Sequence, residues 1–340
     1  AEHEVSLASA RNVISGLNKN KYEVTAILID HQGKWHLANK QNLLVNKKII
    51  NNKSLVLAEN QEIAPSQIIS SIDVVFPVLH GPYGEDGTVQ GLLKMADIPF
   101  VGAGVLGSAI GMDKDVMKRL LRDAELPIAK FLVFSSTKQI KYDQIKKQLG
   151  LPFFVKPANL GSSVGVTKVN TVSEYKRAVS TALQHDSKIL CEQAIAGREI
   201  EVSVLGNANP TTSLPGEILP KREFYDYLAK YDEESGTEYK IPADLSPKLV
   251  KKFQQLAVKV FQVLCCRGMA RVDFFLPASP ADSAGGTKEN KIIVNEINTI
   301  PGFTQLSMYP KLWEVSGLPL PQLLDKLIEL ALEKSASGQI

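Results

Sequence analysis

Two polar pairs stand out at the ends of apolar runs in this sequence. Glu296 and Asn298 are two positions apart in "VNEIN", and Arg271 and Asp273 are two positions apart in "ARVDFFL". Residues two apart on a β-strand face the same side, so pairing of these strands would gather all four side chains on one face. Asp, Glu and Asn oxygens suit a hard cation such as magnesium. A solvated sheet face with ordinary charge pairs is the alternative that these residues alone leave open.

A second group with chemical potential is the loop "VKPANLGSSVGV". Lys156 stands at the end of an apolar run and is followed by Gly161, Ser162, Ser163 and Gly165. Small residues let backbone N–H groups and hydroxyls approach an anion closely, so the loop predicts a phosphate cradle. It matches neither the Walker A pattern nor the dinucleotide fingerprint. "GSSVG" also matches the elbow of a serine hydrolase with Ser163 as nucleophile, and a purely structural hairpin turn is a further alternative.

The elements that must position these groups fall into three successive units. Short apolar runs alternate with polar or helical stretches over the first hundred residues, which predicts βαβ units and a parallel sheet, with a boundary near residue 112. The second unit would hold a helix in "DKDVMKRLLRDAEL", a helix near 173–184, and several strands, namely "LPIAKFLVF", "PFFVKP", "VGVTKV" and "KILCEQ". The stretch "AIAGREIEV" then reads as a linker.

The third unit is predicted from one amphipathic helix and two strands. "LVKKFQQLAVKVFQVL" repeats apolar residues on one stripe, which predicts a helix packed on a sheet. "ARVDFFL" and "KIIVNEIN" are the predicted strands of that sheet. The Pro, Ser and Gly residues between them, at 277–290, predict a flexible surface loop.

Composition restricts the function classes. With 340 residues, 44% hydrophobic and 22% charged, the chain is typical of a folded protein of two or three domains. Its net charge of +3 argues against nucleic-acid partners, and the lack of a long apolar run argues against a membrane protein. The three cysteines, Cys191, Cys265 and Cys266, lack the spacing of a disulfide framework or zinc site, which favours a reducing compartment such as the cytoplasm. Because the sequence begins without methionine, a leader segment that has been removed is an alternative that these residues leave open.

Seven motifs taken together resemble the D-alanine–D-alanine ligase family of ATP-grasp enzymes. In chain order they are "AEHEVS", "LHGPYGEDGT", "GMDK", "VKPANLGSSVGV", "YDYLAKY", "RVD" and "NEINTIPGFTQLSMYP". The resemblance implies a three-domain α/β fold with a parallel-sheet N-terminal domain at 1–112, a central domain at 113–194, and a C-terminal domain at 195–340. ATP would bind between the last two domains. In the family pattern one strand and a Gly-rich turn precede residue 1, and the loop at 277–290 is longer than usual.

The same resemblance implies the roles of individual residues. Such an enzyme phosphorylates the first D-alanine with ATP, and the amine of the second D-alanine attacks the acyl phosphate. The implied ATP-binding residues are Lys114, Lys156, Ser163, Glu192, Gln193, Ile195, Glu199 and Lys230. The implied ligands of two magnesium ions, for which manganese could substitute, are Asp273, Glu296 and Asn298.

The implied substrate contacts are distributed along the chain, and they include a lid at about 218–241. Glu2 would take the ammonium of the first substrate, His80 would lie near it, and Arg271 with the Gly302 amide would stabilise the oxyanion. Ser307 and Met308 would bind a carboxylate, and Ser162 and Tyr231 would close the site by hydrogen bonding. For His80, a turn histidine bonded to backbone is the alternative. For Lys230 and Tyr231, the alternative is a solvated loop.

Two other functions fit the same motifs. A D-alanine–D-lactate ligase would differ mainly at Tyr231. A non-catalytic nucleotide-binding regulator would be expected to lose a magnesium ligand or the oxyanion arginine, and this sequence keeps both. The resemblance also implies a cytoplasmic homodimer acting in peptidoglycan synthesis.

Overall fold

The computed structural model describes residues 2–38, 64, 72–135, 141–219, 238–277 and 291–336. The N-terminal unit begins with helix α1 (His3–Gly16), followed by strands β1 (Ile27–Ile29) and β2 (Trp35–Leu37). Two further helices, α2 (Thr88–Met95) and α3 (Val105–Met112), follow the segment around Val75, which forms a parallel bridge with Phe100.

Strand β1 departs from the predicted parallel pattern, because it pairs antiparallel with β2. The cause is the intervening "DHQGK" turn. The Asp30 carboxylate accepts hydrogen bonds from the amides of Gln32 and Lys34, both at 2.9 Å, and Gly33 has a φ of +80°. A local Asp turn with a left-handed glycine reverses the chain tightly and closes a hairpin.

The central unit is a four-stranded antiparallel sheet in the order β3-β6-β4-β5. Helix α4 (Lys114–Asp123) begins after Asp113, whose carboxylate accepts hydrogen bonds from the Asp115 and Val116 amides of the first turn at 3.0 and 3.1 Å. The remaining elements are β3 (Phe131–Ser135), α5 (Tyr142–Leu149), β4 (Phe153–Pro157), β5 (Thr167–Val169), α6 (Val172–Leu183) and β6 (Lys188–Gln193). The predicted helices and strands of this unit are confirmed, with the Gly/Ser loop joining β4 to β5.

The C-terminal sheet has the order β10-β9-β7-β11-β12, with β8 paired to β7. Its elements are β7 (Gly197–Gly206), β8 (Thr211–Thr212), β9 (Gly216–Leu219), β10 (Glu238–Lys240), helix α7 (Pro247–Val263), β11 (Gly268–Pro277) and β12 (Ile293–Asn298). Helix α7 buries Phe253, Ala257, Val260 and Phe261 against the sheet, as its stripe predicts. Helices α8 (Met308–Val315) and α9 (Leu320–Ala336) complete the chain.

Two sequence predictions are wrong at their edges in this unit. The predicted linker is strand from Gly197 onward, because Ile200, Val202 and Val204 alternate into the core and β7 pairs with β11 over its whole length. Both ends of the predicted lid are β-strand rather than loop, because they belong to the antiparallel pair β9–β10, in which Leu219 lies opposite Glu238. Its middle, with Lys230 and Tyr231, lies outside the described residues, as does most of the 277–290 loop.

Packing across the units determines where the site lies. Met117 and Leu121 of α4 are fully buried in the core of the C-terminal sheet, beside Phe253 and Val272. Val13 of α1 lies in a second core cluster with α8 and α9. Both clusters join parts of the chain that are distant in sequence.

Within the described part of the chain, no helix combines the length and apolar character needed to cross a bilayer.

Candidate active site

A chain of buried hydrogen bonds fixes the loop that follows β12. The Phe303 amide donates to Ser9 Oγ at 3.1 Å, and Ser9 Oγ lies 3.0 Å from His80 Nε2. His80 Nδ1 lies 3.1 Å from the Ile300 carbonyl. A carbonyl only accepts, so Nδ1 carries the proton and Nε2 accepts from the serine hydroxyl. Burial, with the charge of Arg271 nearby, lowers the pKa of His80 to about 4, so the imidazole is neutral.

Glu85, which is not among the residues predicted from the sequence, is a second buried group at the same loop. Its carboxylate accepts hydrogen bonds from the Gly81 amide at 2.7 Å and from the Ile300 amide at 3.3 Å. Burial, reinforced by the charge of Glu2, raises the pKa of Glu85 to about 8. The "GEDGT" motif, which carries Glu85, was the available signal.

A cavity opens between these groups and the C-terminal sheet. Among its lining residues are eight that the sequence predicts for the site: Glu2, His80, Ser162, Arg271, Asn298, Gly302, Ser307 and Met308. Glu85, Glu201 and Tyr239 also line it and were not predicted. The structure therefore brings together residues from both ends of the chain and from the Gly/Ser loop.

At the acidic end of this cavity, two glycines allow the backbone to approach the Glu2 side chain closely. A Cβ at Gly161 would lie 3.3 Å from Glu2 Oε1, and one at Gly81 would lie 3.6 Å from Glu2 Cδ. Ser162 and Ser163 have φ values of +49° and +59°, the left-handed conformation that a tight anion-binding turn needs. Glu2, only 6% exposed, thus faces the turn that the sequence predicts for phosphate.

The opposite end of the cavity is the start of helix α8. Ser307 is the residue before the helix, and its Oγ accepts from the Thr304 amide at 2.9 Å. A Cβ on Gly302 would lie 2.6 Å from Ser307 Oγ, so only glycine fits at that position without displacing the serine. A hydroxyl at a helix N-terminus suits a carboxylate, because unpaired amides and the helix dipole favour negative charge there.

Arg271, Asp273 and Asn298 form one hydrogen-bonded group on the β11–β12 face. Arg271 donates to both Asp273 oxygens at 2.8 Å, and Asn298 Nδ2 donates to Asp273 Oδ2 at 2.9 Å. Arg271 Nε also lies 3.0 Å from Glu201. The strand register places Arg271 opposite Asn298 and Asp273 opposite Glu296, which confirms the predicted shared face. Two carboxylates and a carboxamide form a donor set that fits magnesium.

Beyond this face lies a buried cluster of lysines. Lys114 Nζ donates to the Leu160 carbonyl at 2.5 Å and lies 4.0 Å from Glu296, while Lys156 pairs with Glu192. Burial lowers the pKa of Lys114. For Lys156 the burial penalty is outweighed by Glu192 and Glu296, which hold its pKa above the usual value. Among the described residues, no three His, Cys, Asp or Glu side chains converge as a metal cluster; the predicted ligand set includes an asparagine.

Most of the other predicted nucleotide-binding residues lie on or between the strands β6 and β7. The carboxylate of Glu192 contacts the ammonium groups of Lys118 and Lys156. Gln193 is the last residue of β6 and lies opposite Phe153, and Glu199 lies on β7 opposite Phe275. Ile195 falls between the two strands, and Ser163 lies in the turn between β4 and β5. Their contacts with a nucleotide stay a prediction.

Family models match almost the whole chain. The model described as "D-ala D-ala ligase N-terminus" matches residues 1–103, and that described as "D-ala D-ala ligase C-terminus" matches residues 120–329. The chain belongs to the D-alanine–D-alanine ligase family. The resemblance found in the seven motifs is thereby confirmed.

Relatives and solved structures agree with the family. The D-alanine–D-alanine ligase of Oceanobacillus iheyensis is 48% identical over 100% of this chain and 94% of its own length. The structure of the D-alanine–D-alanine ligase from Coxiella burnetii has a TM-score of 0.82 at 38% identity, covering 100% of this chain and 92% of the other. The VanG D-Ala:D-Ser ligase from Enterococcus faecalis has a TM-score of 0.83 at 34% identity, covering 97% and 96%. The multi-domain α/β fold expected of the family is confirmed.

Proposed function

We propose that this protein joins two D-alanine molecules at the expense of ATP, giving D-alanyl-D-alanine, ADP and phosphate for peptidoglycan synthesis. The observation that carries the proposal is that one pair of strands serves two neighbouring sites. Arg271 and Asn298 of β11 and β12 line the acidic cavity, whereas Glu296 of β12 lies 4.0 Å from Lys114 in the lysine cluster. An amino-acid pocket and a phosphate pocket therefore share a common wall.

The reaction would begin in the cavity. Glu2 holds the ammonium of the first D-alanine, and a carboxylate oxygen of this substrate attacks the γ-phosphorus of ATP, with ADP as the leaving group. Lys114 and Lys156 offset the negative charge on the phosphates. Magnesium, when bound to Asp273, Glu296 and Asn298, would neutralise charge on the transferring phosphoryl group. The family resemblance implies that these three residues hold two magnesium ions.

The second half of the reaction forms the peptide bond. The amine of the second D-alanine attacks the acyl carbon, loses a proton, and phosphate departs. Arg271 and the Gly302 amide would stabilise the oxyanion, and this role is supported by their place in the lining of the cavity that also contains Glu2 and Ser307. Ser307 and the Met308 amide at the start of α8 would bind the carboxylate of the second substrate.

The choice of D-alanine as second substrate is tested by the products. ADP release should require D-alanine, and chromatography should show the dipeptide rather than a product with D-lactate or D-serine when all three acceptors compete. ADP release that is independent of D-alanine, or none at all, would contradict ligation. ATP binding without turnover would favour the regulator instead. The contribution of Ser162, Lys230 and Tyr231 to closure belongs to the same proposal.

The proposed setting is a cytoplasmic homodimer. Free cysteines, of which Cys191 and Cys266 are buried, fit a reducing compartment. Two neighbouring helices of the N-terminal unit expose large apolar side chains, with Met95 of α2 92% exposed and Leu106 of α3 61% exposed, and such a surface suits a second copy. Light scattering should give the mass of a dimer, and Met95→Lys should shift it toward the monomer. A monomeric wild type would contradict the dimer.

A further inference from the structure

Lys118 is a buried lysine to which the function proposed above gives no task. It lies on α4 one turn after Lys114, so the two side chains share one face of the helix. Its side chain is 0% exposed, pairs with Glu192, and donates to the Asn295 carbonyl at 3.3 Å. A buried ammonium is stable only where fixed partners replace its water. Lys118 is therefore held in one place by the fold.

The Asn295 carbonyl meets Lys118 because of an irregularity in β12. The pairing of β11 with β12 passes from Asp273 opposite Glu296 to Phe274 opposite Val294, which leaves Asn295 as an extra residue. The extra residue of a bulge is left out of the regular ladder. Lys118 thus connects α4, strand β6 and the bulge of β12, at the junction of the central and C-terminal sheets.

Glu192 is shared between two ammonium groups, those of Lys118 and Lys156. Burial alone would raise the pKa of Glu192, but the two lysines hold it below its usual value, so the carboxylate is charged. The two lysines differ in access, because the Lys156 side chain is 11% exposed and that of Lys118 is 0% exposed. A nucleotide phosphate can reach Lys156, but only in competition with Glu192.

We infer that Lys118 is the permanent counter-ion of Glu192, a positioning residue that lets Lys156 exchange this carboxylate for a nucleotide phosphate. Without Lys118, Glu192 would have Lys156 as its one ammonium partner among these three residues. Phosphate binding would then leave a buried carboxylate uncompensated and close to the incoming negative charge. This inference rests on the proposed binding of ATP to Lys156.

The test compares three adenine compounds that differ only in their number of phosphate groups. Isothermal titration with adenosine, ADP and ATP, each with magnesium, is carried out on wild type and Lys118→Met, which keeps a long unbranched side chain without the charge. For Lys118→Met we expect the Kd of ADP and ATP to rise about tenfold or more, as for loss of one partner of a buried charge pair. The Kd of adenosine should change less than about threefold, because adenosine requires no transfer of Lys156. Equal changes for all three compounds, or an unchanged Kd for ATP, would overturn the inference.

A matched control and a double variant keep the test decisive. Arg119→Met removes a neighbouring charge of α4 whose side chain is 58% exposed and pairs within the helix with Asp115, and it should leave all three affinities unchanged. In Glu192→Gln, the carboxylate that retains Lys156 is gone, so adding Lys118→Met should change the Kd of ADP by less than about twofold. This double variant also answers the case in which Lys118→Met alone does not fold, since it removes both buried charges together. Fully additive effects of the two substitutions would overturn the inference.

The steady-state constants give a further readout. Lys118→Met should raise the KM for ATP while leaving the KM for D-alanine unchanged, whereas a general loosening of the fold would alter both. Failure of the proposed function is recognised separately, because wild type would then bind no ATP or release no ADP with D-alanine.

Discussion

His80 supports a quantitative prediction, because its buried neutral ring should make the stability of the protein depend on pH. In the unfolded chain a histidine has a pKa near its usual value of 6.5, whereas burial lowers the pKa of His80 to about 4 in the fold. Between these values an unfolded His80 binds more protons than the native one, so the contribution of His80 to the free energy of unfolding falls as the pH falls. The expected loss is about 1.3 kcal/mol between about pH 7.5 and 5.5.

Replacement by glutamine isolates this effect. The carboxamide introduced by His80→Gln could still donate to the Ile300 carbonyl and accept from the Ser9 hydroxyl, but it has no proton to gain in this range. The variant should lose about 1 kcal/mol at neutral pH from poorer geometry and lose less stability than wild type on acidification. The difference between the two proteins should therefore shift by about 1.3 kcal/mol in favour of the variant from about pH 7.5 to 5.5, which brings the two stabilities level or slightly reverses their order.

Urea unfolding monitored by tryptophan fluorescence measures this difference, since Trp313 lies in the same core cluster as Phe303. His185→Gln, which changes an exposed histidine, controls for the loss of one imidazole. Parallel curves of unfolding free energy against pH for wild type and His80→Gln would refute the assignment of a neutral, buried His80.

Four further results are expected. Glu296→Gln should fold normally but lose ADP release by about a hundredfold or more, because the proposed magnesium ligand loses its charge; near-normal release would exclude Glu296 as a ligand. Gly302→Ala should lower kcat about tenfold or more, since a Cβ would lie 2.6 Å from Ser307 Oγ, and unchanged kinetics would show that the loop adapts freely. Because the raised pKa of Glu85 makes the native state bind an extra proton, Glu85 should contribute a decline in stability of up to about 1.4 kcal/mol per pH unit as the pH rises from 4.5 to about 8. Glu85→Gln should abolish this contribution, and denaturation at several pH values that shows the same slope in both proteins would contradict it. Tyr231→Phe should favour D-lactate over D-alanine as second substrate relative to wild type, and an unchanged product ratio in competition assays would place specificity elsewhere.

The parts of the fold that sequence could predict are those governed by local period. Alternation in "ARVDFFL" and "KIIVNEIN" is enough to place Arg271 with Asp273 and Glu296 with Asn298, and the strand register confirms that the two pairs meet. The stripe of α7 is equally direct, because its apolar spacing matches a helix with one buried face.

The parts that sequence missed depend on tertiary contacts. Lys118 resembles any solvent-facing lysine until the fold brings Glu192 and the bulge at Asn295 to it. Ser9 gave no signal because its partner His80 is 71 positions away in the sequence. In "AIAGREIEV", the initial small residues suggested a linker and concealed the alternation of Ile200 and Val202 that continues as a strand.

The hydrogen-bond chain through Ser9 and His80 also restricts how such genes can recombine. Phe303 belongs to the C-terminal part of the chain, yet the partners that hold its loop are encoded near the other end, with 294 positions between Ser9 and Phe303. A crossover between two diverged ligase genes anywhere in that interval separates the codons of residues that must fit together within a hydrogen-bond length. We therefore expect functional chimaeras to be those whose parents share Ser9, His80 and the backbone of the "TIPGF" loop, wherever the crossover falls.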